Sequence, residues 1–345
     1  MARADEIRAA FADQANWCVR LGSPFTARLC EALVAAFDPE TEVGARVLAW
    51  PGDPSGGADA PALRLCGGLH ALVHAGQAPD LAKYYPPASL PEIAALGGAL
   101  TPILRNPALL AWLDSAPQTN EVGRSAILMT GLLAAAAQYP LPIVLYELGA
   151  SAGLNLQLDR YSYDLGRLRT GARDSPLKLA PQWKGGPPPL AEIRIRGRRG
   201  VDLAPLEPIR DRERLLAYIW PDQARRLAQA EAALDIAGRA PPPVEAGDAA
   251  DWIERNLADD GPPGVMRVVM HTVAYQYFPK AVQARVAARM ARAGAAAPPD
   301  SPLAWLRFEK LPEEESYSLR LRLWPGEDRL LAWAHPHVSS VEYLD

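Results

Sequence analysis

Residues 141–159, LPIVLYELGASAGLNLQLD, constrain the fold more than any other stretch of the chain. The apolar run Ile143–Tyr146 is short and β-rich, which is typical of a buried parallel strand. Glu147 ends this run, and Leu154–Leu158 has the pattern of a helix start. Between them, three small residues occupy alternate positions: Gly149, Ser151 and Gly153. A strand, a tight turn and a helix start predict a site for a nucleotide-like ligand, because such a turn lets the backbone approach the ligand closely.

Length and composition favour an ordinary globular protein. The chain has 345 residues, enough for two domains or for one large α/β domain with an additional region. Its net charge of −4 gives no overall reason to expect binding to nucleic acid or to a membrane. The N-terminus lacks the apolar core of a signal peptide, and no run reaches the roughly 18 apolar residues of a membrane span. We therefore expect a soluble, cytoplasmic protein, whose oligomeric state the sequence does not specify.

Cysteine and histidine spacing does not predict a metal site. The three cysteines, Cys18, Cys30 and Cys66, are too few and too scattered for a disulfide framework or a zinc site. We predict that they are buried thiols in a reducing compartment. His70 and His74 have the spacing of a metal pair, but no third ligand accompanies them.

Residues 1–139 are predicted to form a helical region that caps the ligand site or lines its substrate side. Helical patterns and caps indicate about six helices and no strand before residue 143. Asn120, Glu121 and Arg124 stand at the start of the last of these helices. One interpretation is a helix cap with a solvated first turn. The other is that these three residues face the ligand cleft and bind the substrate.

The second half of the chain alternates strands with helices. After Ile143, strand patterns occur in four segments and in a terminal hairpin: 199–205, 243–249, 265–272, 303–308, and 317–324 with 330–334. This order predicts an α/β fold with an open, mostly parallel sheet that ends in an antiparallel hairpin. Ligands bind such sheets outside the carboxyl ends of the strands. Four polar residues end predicted strands there: Glu147, Asp202, Asp248 and His271.

Residues 161–200 carry nine Arg and Lys residues against three Asp and Glu residues. Such a segment is either a solvated face or a patch that attracts an anionic substrate or RNA. Ile193 and Ile195 alternate with arginines, which predicts an exposed edge strand or hairpin arm. A later break in a helical pattern, Trp220–Gln223, has no role that the sequence indicates.

These motifs resemble those of class I S-adenosylmethionine-dependent methyltransferases. Glu147–Gly153 is similar to the first motif of that family, whose backbone cradles the methionine part of the cofactor. The resemblance implies that the acid of Gly200–Leu203 binds ribose hydroxyls and that the acid of Gly247–Ala249 meets the adenine. The cofactor residues would then be Glu147, Gly149, Ser151, Gly153, Asp202 and Asp248. The family resemblance covers residues 140–345, a Rossmann-like domain with an insertion at about 161–198.

A narrower resemblance covers most of the chain. The phrases QTNEVGRS, ELGASAGLNLQLDRY, RRGVDLAP and WPDQ are similar to a bacterial family known as domain of unknown function 2332. This resemblance supports the fold and implies no reaction. The chain also departs from the methyltransferase pattern, because Ser151 replaces the middle glycine and His271-Thr272 stands where the amino-methylating branches have an Asp/Asn-Pro-Pro motif.

The leading hypothesis is a methyltransferase that uses S-adenosylmethionine on an unidentified small or anionic substrate. His271 is the candidate base, because an imidazole changes charge near neutral pH, and the alternative is a packed histidine. Tyr275 is expected to line the substrate wall. A second hypothesis is a protein that binds the cofactor without catalysis. A nicotinamide-dependent reductase is a third, disfavoured by the glycine spacing and the hairpin.

Overall fold

The computed structural model describes residues 2–344, and within them no strand precedes Ile143, as predicted. The helices before that strand are α1 (Ala2–Arg20), α2 (Pro24–Ala36), α3 (Glu42–Leu48), α4 (Pro61–His74), α5 (Pro79–Ala82), α6 (Ile93–Ile103), α7 (Ala108–Leu113) and α8 (Arg124–Gln138). Apolar residues at helical spacing, such as Ile7, Phe11 and Cys18 on α1, supply the buried core of this region.

Two polar side chains hold the N-terminus of α2. Ser23 caps the helix, because its side chain accepts a hydrogen bond from Thr26 N. The carboxylate of Asp222 accepts a second one from Phe25 N at 2.8 Å. The Trp220–Gln223 break therefore contributes a cap to a helix about 200 positions earlier in the chain.

Twelve strands and four further α-helices follow in the described chain. The strands are β1 (Ile143–Leu148), β2 (Ser162–Leu165), β3 (Leu168–Gly171), β4 (Lys178–Leu179), β5 (Gln182–Lys184), β6 (Ile195–Asp202), β7 (Val244–Ala246), β8 (Met266–Thr272), β9 (Leu303–Glu309), β10 (Tyr317–Trp324), β11 (Asp328–Ala334) and β12 (Ser340–Tyr343). The helices are α9 (Arg212–Ala217), α10 (Ala224–Arg239), α11 (Ala249–Asn256) and α12 (Lys280–Ala296), with 3₁₀ helices at Leu154–Arg160 and Tyr275–Tyr277.

The main sheet has the predicted, mostly parallel architecture. Nine strands of the described chain lie in the order β5-β12-β11-β10-β9-β8-β1-β6-β7. The five strands from β9 to β7 are parallel, and β9 to β12 run antiparallel to one another. The chain moves from β1 outward through β6 and β7, and then crosses to β8 on the other side of β1. The strand order therefore reverses between β1 and β8, which is where α/β sheets bind ligands.

The segment around Ile195 is an inner strand, so the prediction of an exposed edge there is wrong. Strand β6 begins at Ile195 and lies between β1 and β7. The arginines of β6 explain the wrong prediction, because a strand rich in basic residues resembles a solvent-exposed strand. In the structure these charges are paired: Arg198 bonds to Asp159 at 2.7 Å, and Arg199 bonds to Glu245 at 2.6 Å.

Three sequence signals for helix ends do not mark helix ends in the structure. Ser89–Glu92 has the sequence of a capping box, but α6 begins at Ile93 without a side-chain cap. Gly238 and Gly294 each follow a helical pattern, which predicts a C-cap, but they lie inside α10 and α12. A Cβ at Gly294 would collide with the ring of Trp324, so this glycine serves close helix–sheet packing rather than termination.

The chain forms two compact units. The first comprises Met1–Thr119 with Asp211–Ala228, and the second comprises Asn120–Arg210 with Gln229–Asp345. Sequence patterns grouped α8 with the helical region, but α8 belongs to the second unit, where it packs on β9 and β10. Gly131 of α8 leaves room there for the side chain of Leu306.

None of the helices in residues 2–344 combines the length and the apolar character that crossing a membrane requires. Cys18, Cys30 and Cys66 are free and buried, so the prediction that they are buried is confirmed.

Candidate functional site

The candidate site lies in the second unit, at the carboxyl ends of β1, β6 and β8. Glu147, Asp202 and His271 lie at the ends of their strands, as the sequence predicted. Glu147 pairs in register with Gly200 of β6 and with Met270 of β8. The loop after β1 therefore leaves the sheet at the point where the strand order reverses.

In this loop, residues 149–153, every second residue has a left-handed backbone conformation. Gly149, Ser151 and Gly153 have φ values of 72°, 52° and 71°. A Cβ at Gly149 would lie 2.5 Å from the Cβ of Ala274, and one at Gly153 would lie 2.6 Å from Pro242. Ser151 carries a Cβ and lacks the conformational freedom of glycine, and a left-handed conformation costs an L-residue about 1–2 kcal/mol. The glycine pattern thus reflects both the turn and close packing around it.

The protein itself satisfies the amides of this loop. Gly149 N and Ala150 N both donate to Val201 O, at 2.9 and 3.0 Å, and Gly153 N donates to Ala150 O at 2.7 Å. These bonds tie the turn to β6 and close it on itself. Preformed backbone of this kind spares a ligand the cost of ordering the loop.

Side chains take the remaining amides. Ser151 N donates to Asp202 Oδ2 at 2.8 Å. Asn120 Oδ1 accepts both Ala152 N at 3.1 Å and Leu154 N at 3.0 Å. The protein's own acceptors therefore hold the loop, and the amides of residues 149–153 are already paired.

Asp202 and Asp248 both hold backbone in this structure. Besides Ser151 N, Asp202 accepts Ala204 N at 3.0 Å. Asp248 caps α11, because its Oδ1 accepts Ala250 N at 2.9 Å and Asp251 N at 3.0 Å. Their contacts with a ribose and an adenine remain predictions.

Glu147 is a buried acid in a polar network. Its carboxyl bonds to the side chain of Asn155, which in turn accepts Ser125 Oγ at 2.8 Å. Its Oε2 is buried and has no hydrogen-bond partner in the described chain. Burial raises the pKa of Glu147 well above its ordinary range, and the bond to Asn155 opposes this only in part. Burial therefore makes this carboxyl harder to ionise than an exposed glutamate.

Asn120, Glu121 and Arg124 lie in the same unit as this loop. Asn120 holds the loop as described above. Glu121 Oε1 accepts Gly123 N at 3.0 Å. Arg124 donates to Pro336 O at 3.0 Å and to Thr272 O at 3.3 Å. Each residue has backbone partners, and substrate binding by them remains a prediction.

His271 forms a buried pair with Glu309. Its Nδ1 lies 2.7 Å from Glu309 Oε1, and the imidazole is 1% exposed. The same oxygen accepts the amides of Ala274 and Tyr275, so it is an acceptor and Nδ1 carries the hydrogen. The neutral imidazole then has its lone pair on Nε2, which is buried and has no partner within residues 2–344. This is the tautomer that a general base requires.

His271 and Glu147 point to opposite faces of the sheet. Glu147 pairs with Met270, so His271, the next residue, faces the other way. Asp202 lies two residues beyond Gly200, the partner of Glu147, and shares its face. His271 instead contacts the rings of Tyr275, at 4.8 Å, and Trp305, at 6.0 Å. Its predicted role as a base is thus separated from the acid-lined face, and it stays a prediction.

Sequence reasoning missed Glu309 and Val273. Glu309 is the last residue of β9, so it obeys the strand-end rule that identified the other acids, but the predicted strand stopped at Phe308. Val273 has a φ of 48°, which is an outlier for a β-branched residue. No sequence signal marks that conformation.

Tyr275, the predicted wall residue, is half-buried. Its ring stacks on His271, and its hydroxyl donates to Gln283 O at 2.5 Å. Burial raises the pKa of Tyr275, so the hydroxyl stays protonated at neutral pH.

The basic insertion is not one uniform face. Strands β2, β3 and β4 form a separate three-stranded sheet, and β5 joins the edge of the main sheet through β12. Lys184 pairs with Glu342 at 2.5 Å, in addition to the paired arginines of β6. Arg167, Arg173 and Lys178 are exposed.

His70 of the helical unit packs as a neutral side chain. Its Nδ1 lies 3.1 Å from Ala217 O. Burial, reinforced by the neighbouring His74, lowers the pKa of His70 to about 4. Among the described residues, no group of three or more His, Cys, Asp or Glu side chains is arranged to hold a metal ion.

Two solved structures are similar to this chain. A DhpI–SAM–HEP complex is 13% identical and covers 59% of this chain and 70% of its own, with a TM-score of 0.22. A DhpI–SAH complex is 13% identical and covers 62% and 80%, with a TM-score of 0.20. No curated protein matches the chain.

A family model with the description "Uncharacterized protein conserved in bacteria (DUF2332)" matches residues 8–343. The match extends over both compact units and includes every residue of the candidate site. It confirms the resemblance that the sequence phrases indicated. The chain therefore belongs to this family of uncharacterised bacterial proteins, DUF2332.

Proposed function

We propose that the chain is an S-adenosylmethionine-dependent methyltransferase that acts on a small or anionic substrate. The observation that carries this proposal is the rigid turn at residues 149–153, where the strand order reverses, with Glu147 and Asp202 on one face beside it. Open α/β sheets bind nucleotide-like ligands at this point.

The residues present offer hydrogen-bond acceptors that suit the donor groups of this cofactor. Its ammonium and ribose hydroxyl groups need hydrogen-bond acceptors, and Glu147 Oε2 is a buried acceptor with no partner among the described residues. Asp202 supplies a carboxylate at the end of β6. Leu203, the next residue, is 75% exposed and offers apolar surface for a flat base.

The bound cofactor would supply an electrophilic methyl group. The chain would hold the cofactor against the turn with Glu147 and Asp202, and the rigid loop would limit the ordering cost of binding. A neutral His271 would have its lone pair on Nε2, and it could accept a proton only where a substrate reaches its buried ring.

Ligand-dependent stability tests the proposal. S-adenosylhomocysteine at 100 times its dissociation constant would stabilise the fold by about 2.7 kcal/mol. The measurements are the shift of Tm and the heat of binding, with NADH as the comparison ligand. Absence of heat and of a shift with S-adenosylmethionine and S-adenosylhomocysteine would refute the proposal, and a shift with NADH alone would favour a reductase.

A second candidate is binding of the cofactor without catalysis. The burial of His271 on the opposite face from Glu147 favours this alternative. It predicts that His271→Ala leaves cofactor affinity unchanged and that no methylated product forms in a lysate with labelled cofactor. A labelled product that depends on His271 would exclude it.

A further inference from the structure

The segment after β8, residues 273–278, has a conformation that its sequence does not favour. Val273 adopts a φ of 48°, and β-branched residues rarely enter this region. Strain of this kind persists only where surrounding contacts over-determine it. The 3₁₀ helix Tyr275–Tyr277 follows at once, and Tyr277 is exposed.

Several contacts hold this segment. Val273 N donates to Phe308 O at 2.8 Å, and Gln283 Nε2 donates to Tyr275 O and Phe278 O at 2.9 Å each. The carboxylate of Glu309 holds the amides between them. Glu309 Oε1 accepts hydrogen bonds from His271 Nδ1 at 2.7 Å and from the amides of Ala274 and Tyr275, each at 3.1 Å. Successive amides that converge on one oxygen form an anion-binding nest, here occupied by the protein's own side chain. Glu309 is 6% exposed, so little water competes for these bonds.

Residues 273–278 pack against the turn after β1. A Cβ on Gly149 would lie 2.5 Å from the Cβ of Ala274. Any shift of Ala274 therefore changes the space beside Gly149. The Tyr275 ring, stacked on His271, links the same segment to the buried pair.

We propose that Glu309 is a positioning residue, which offsets the strain at Val273 and holds residues 273–277 against the turn at Gly149. This role in ligand binding rests on the proposed function. Glu309 touches no substrate; it acts through the backbone of Ala274 and Tyr275.

Four variants test the proposal: Glu309→Leu, Glu309→Gln, Val273→Gly and the double variant Val273→Gly/Glu309→Leu. Leu removes the acceptor oxygens, whereas Gln keeps one. Glycine at 273 adopts positive φ without strain, so Val273→Gly is expected to raise Tm by a few degrees. Ala60→Gly, at a φ of 49° in the helical unit, is the matched control for relief of strain alone.

The first measurement uses the ligand-free protein. We expect amide hydrogen exchange of Ala274 and Tyr275 to accelerate about tenfold or more in Glu309→Leu and less in Glu309→Gln. The fall in Tm caused by Glu309→Leu is expected to shrink in the Val273→Gly background but not in the Ala60→Gly background, because only the first pair shares a segment. Unchanged exchange in Glu309→Leu, or equal Tm losses in both backgrounds, would overturn the proposal.

The second measurement is the dissociation constant of S-adenosylhomocysteine. We expect it to rise about tenfold in Glu309→Leu, to rise less in Glu309→Gln and to stay unchanged in Ala60→Gly. If the wild-type protein fails to bind, the proposed function fails, while the exchange and Tm results still decide the role of Glu309. Wild-type affinity in a Glu309→Leu protein with accelerated exchange would overturn the link to the ligand.

Discussion

Two turns flank the reversal of strand order, and they reach similar geometry by different means. The turn after β1 places Ser151 in the left-handed region, and the turn after β8 places Val273 there. In each, a carboxylate from the end of a neighbouring strand accepts amides of the turn: Asp202 for the first and Glu309 for the second. A pair of strained turns, each held by an acid, therefore borders the candidate site.

The difference between the turns lies in what offsets their backbone strain. The first turn has two glycines at positive φ and the side chain of Asn120 as a further acceptor. The second has no glycine and is held by tertiary contacts: Phe308 O, Gln283 and Glu309, which also orients His271. Glycine relieves strain through the chain itself, whereas Glu309 offsets it through tertiary contact. The first turn is consequently visible in the sequence and the second is not.

The largest effect is expected from Gly149→Ala. The new methyl group meets Ala274, and alanine disfavours a φ of 72°, so unfolding should become easier by about 3 kcal/mol. Gly264→Ala is the matched control, because Gly264 has a φ of 73° and a methyl group added there would have no atom within 4 Å. Urea unfolding would measure both, and equal losses would contradict close packing between the two turns.

The second-largest effect is expected at Asn120, where two variants distinguish the role of the side-chain acceptor from that of the backbone conformation. Asn120→Gly suits the φ of 28° but leaves the amides of Ala152 and Leu154 without their acceptor, at a cost of about 2 kcal/mol. Asn120→Asp keeps an acceptor oxygen and should stay close to the wild-type stability. Similar losses in both variants would show that the carboxamide does not hold the turn.

A pH-dependent effect is expected from Glu147→Gln. The folded-state pKa of Glu147 lies well above the unfolded value, so the folded protein loses stability as pH rises from about 4.5 through the folded-state pKa. Glutamine resembles the neutral acid and does not titrate. The variant should therefore gain stability over wild type as pH increases, by about 1.4 kcal/mol for each unit of pKa elevation. Denaturation series at pH 5 and pH 8 would measure this, and a constant difference would contradict a raised pKa of Glu147.

The smallest effect is expected from Ser151→Gly. Glycine removes the cost of a left-handed serine and also a buried hydroxyl that has no partner within residues 2–344. The expected gain in stability is about 1 kcal/mol, reduced in part by the greater entropy of glycine in the unfolded chain. Thermal unfolding would detect it as a higher Tm. A loss of stability would mean that the serine side chain supports the turn.

Much of the sheet could be predicted because its signals are local. The apolar runs of β1, β8 and β9 and the hairpin β10–β11 are readable from burial pattern and turn residues. The sequence pattern predicts a strand start at residue 199, whereas β6 begins at Ile195. Its arginines resemble those of a solvent-exposed face, because their partners Asp159 and Glu245 lie far away in the sequence. The folded sheet brings those partners together, and no short stretch of the sequence reveals these contacts.

The amino-acid sequence by itself determined the α/β class, the family, the turn at residues 149–153 and the acids at the strand ends. Glycine spacing and apolar periodicity encode these features locally. Only the tertiary structure decided that Asn120 and Asp202 occupy the loop amides, that His271 faces away from Glu147, and that Glu309 holds the turn at Val273. These features depend on register, on the face of each strand and on contacts between distant segments, because a side chain meets such partners only after the sheet has assembled.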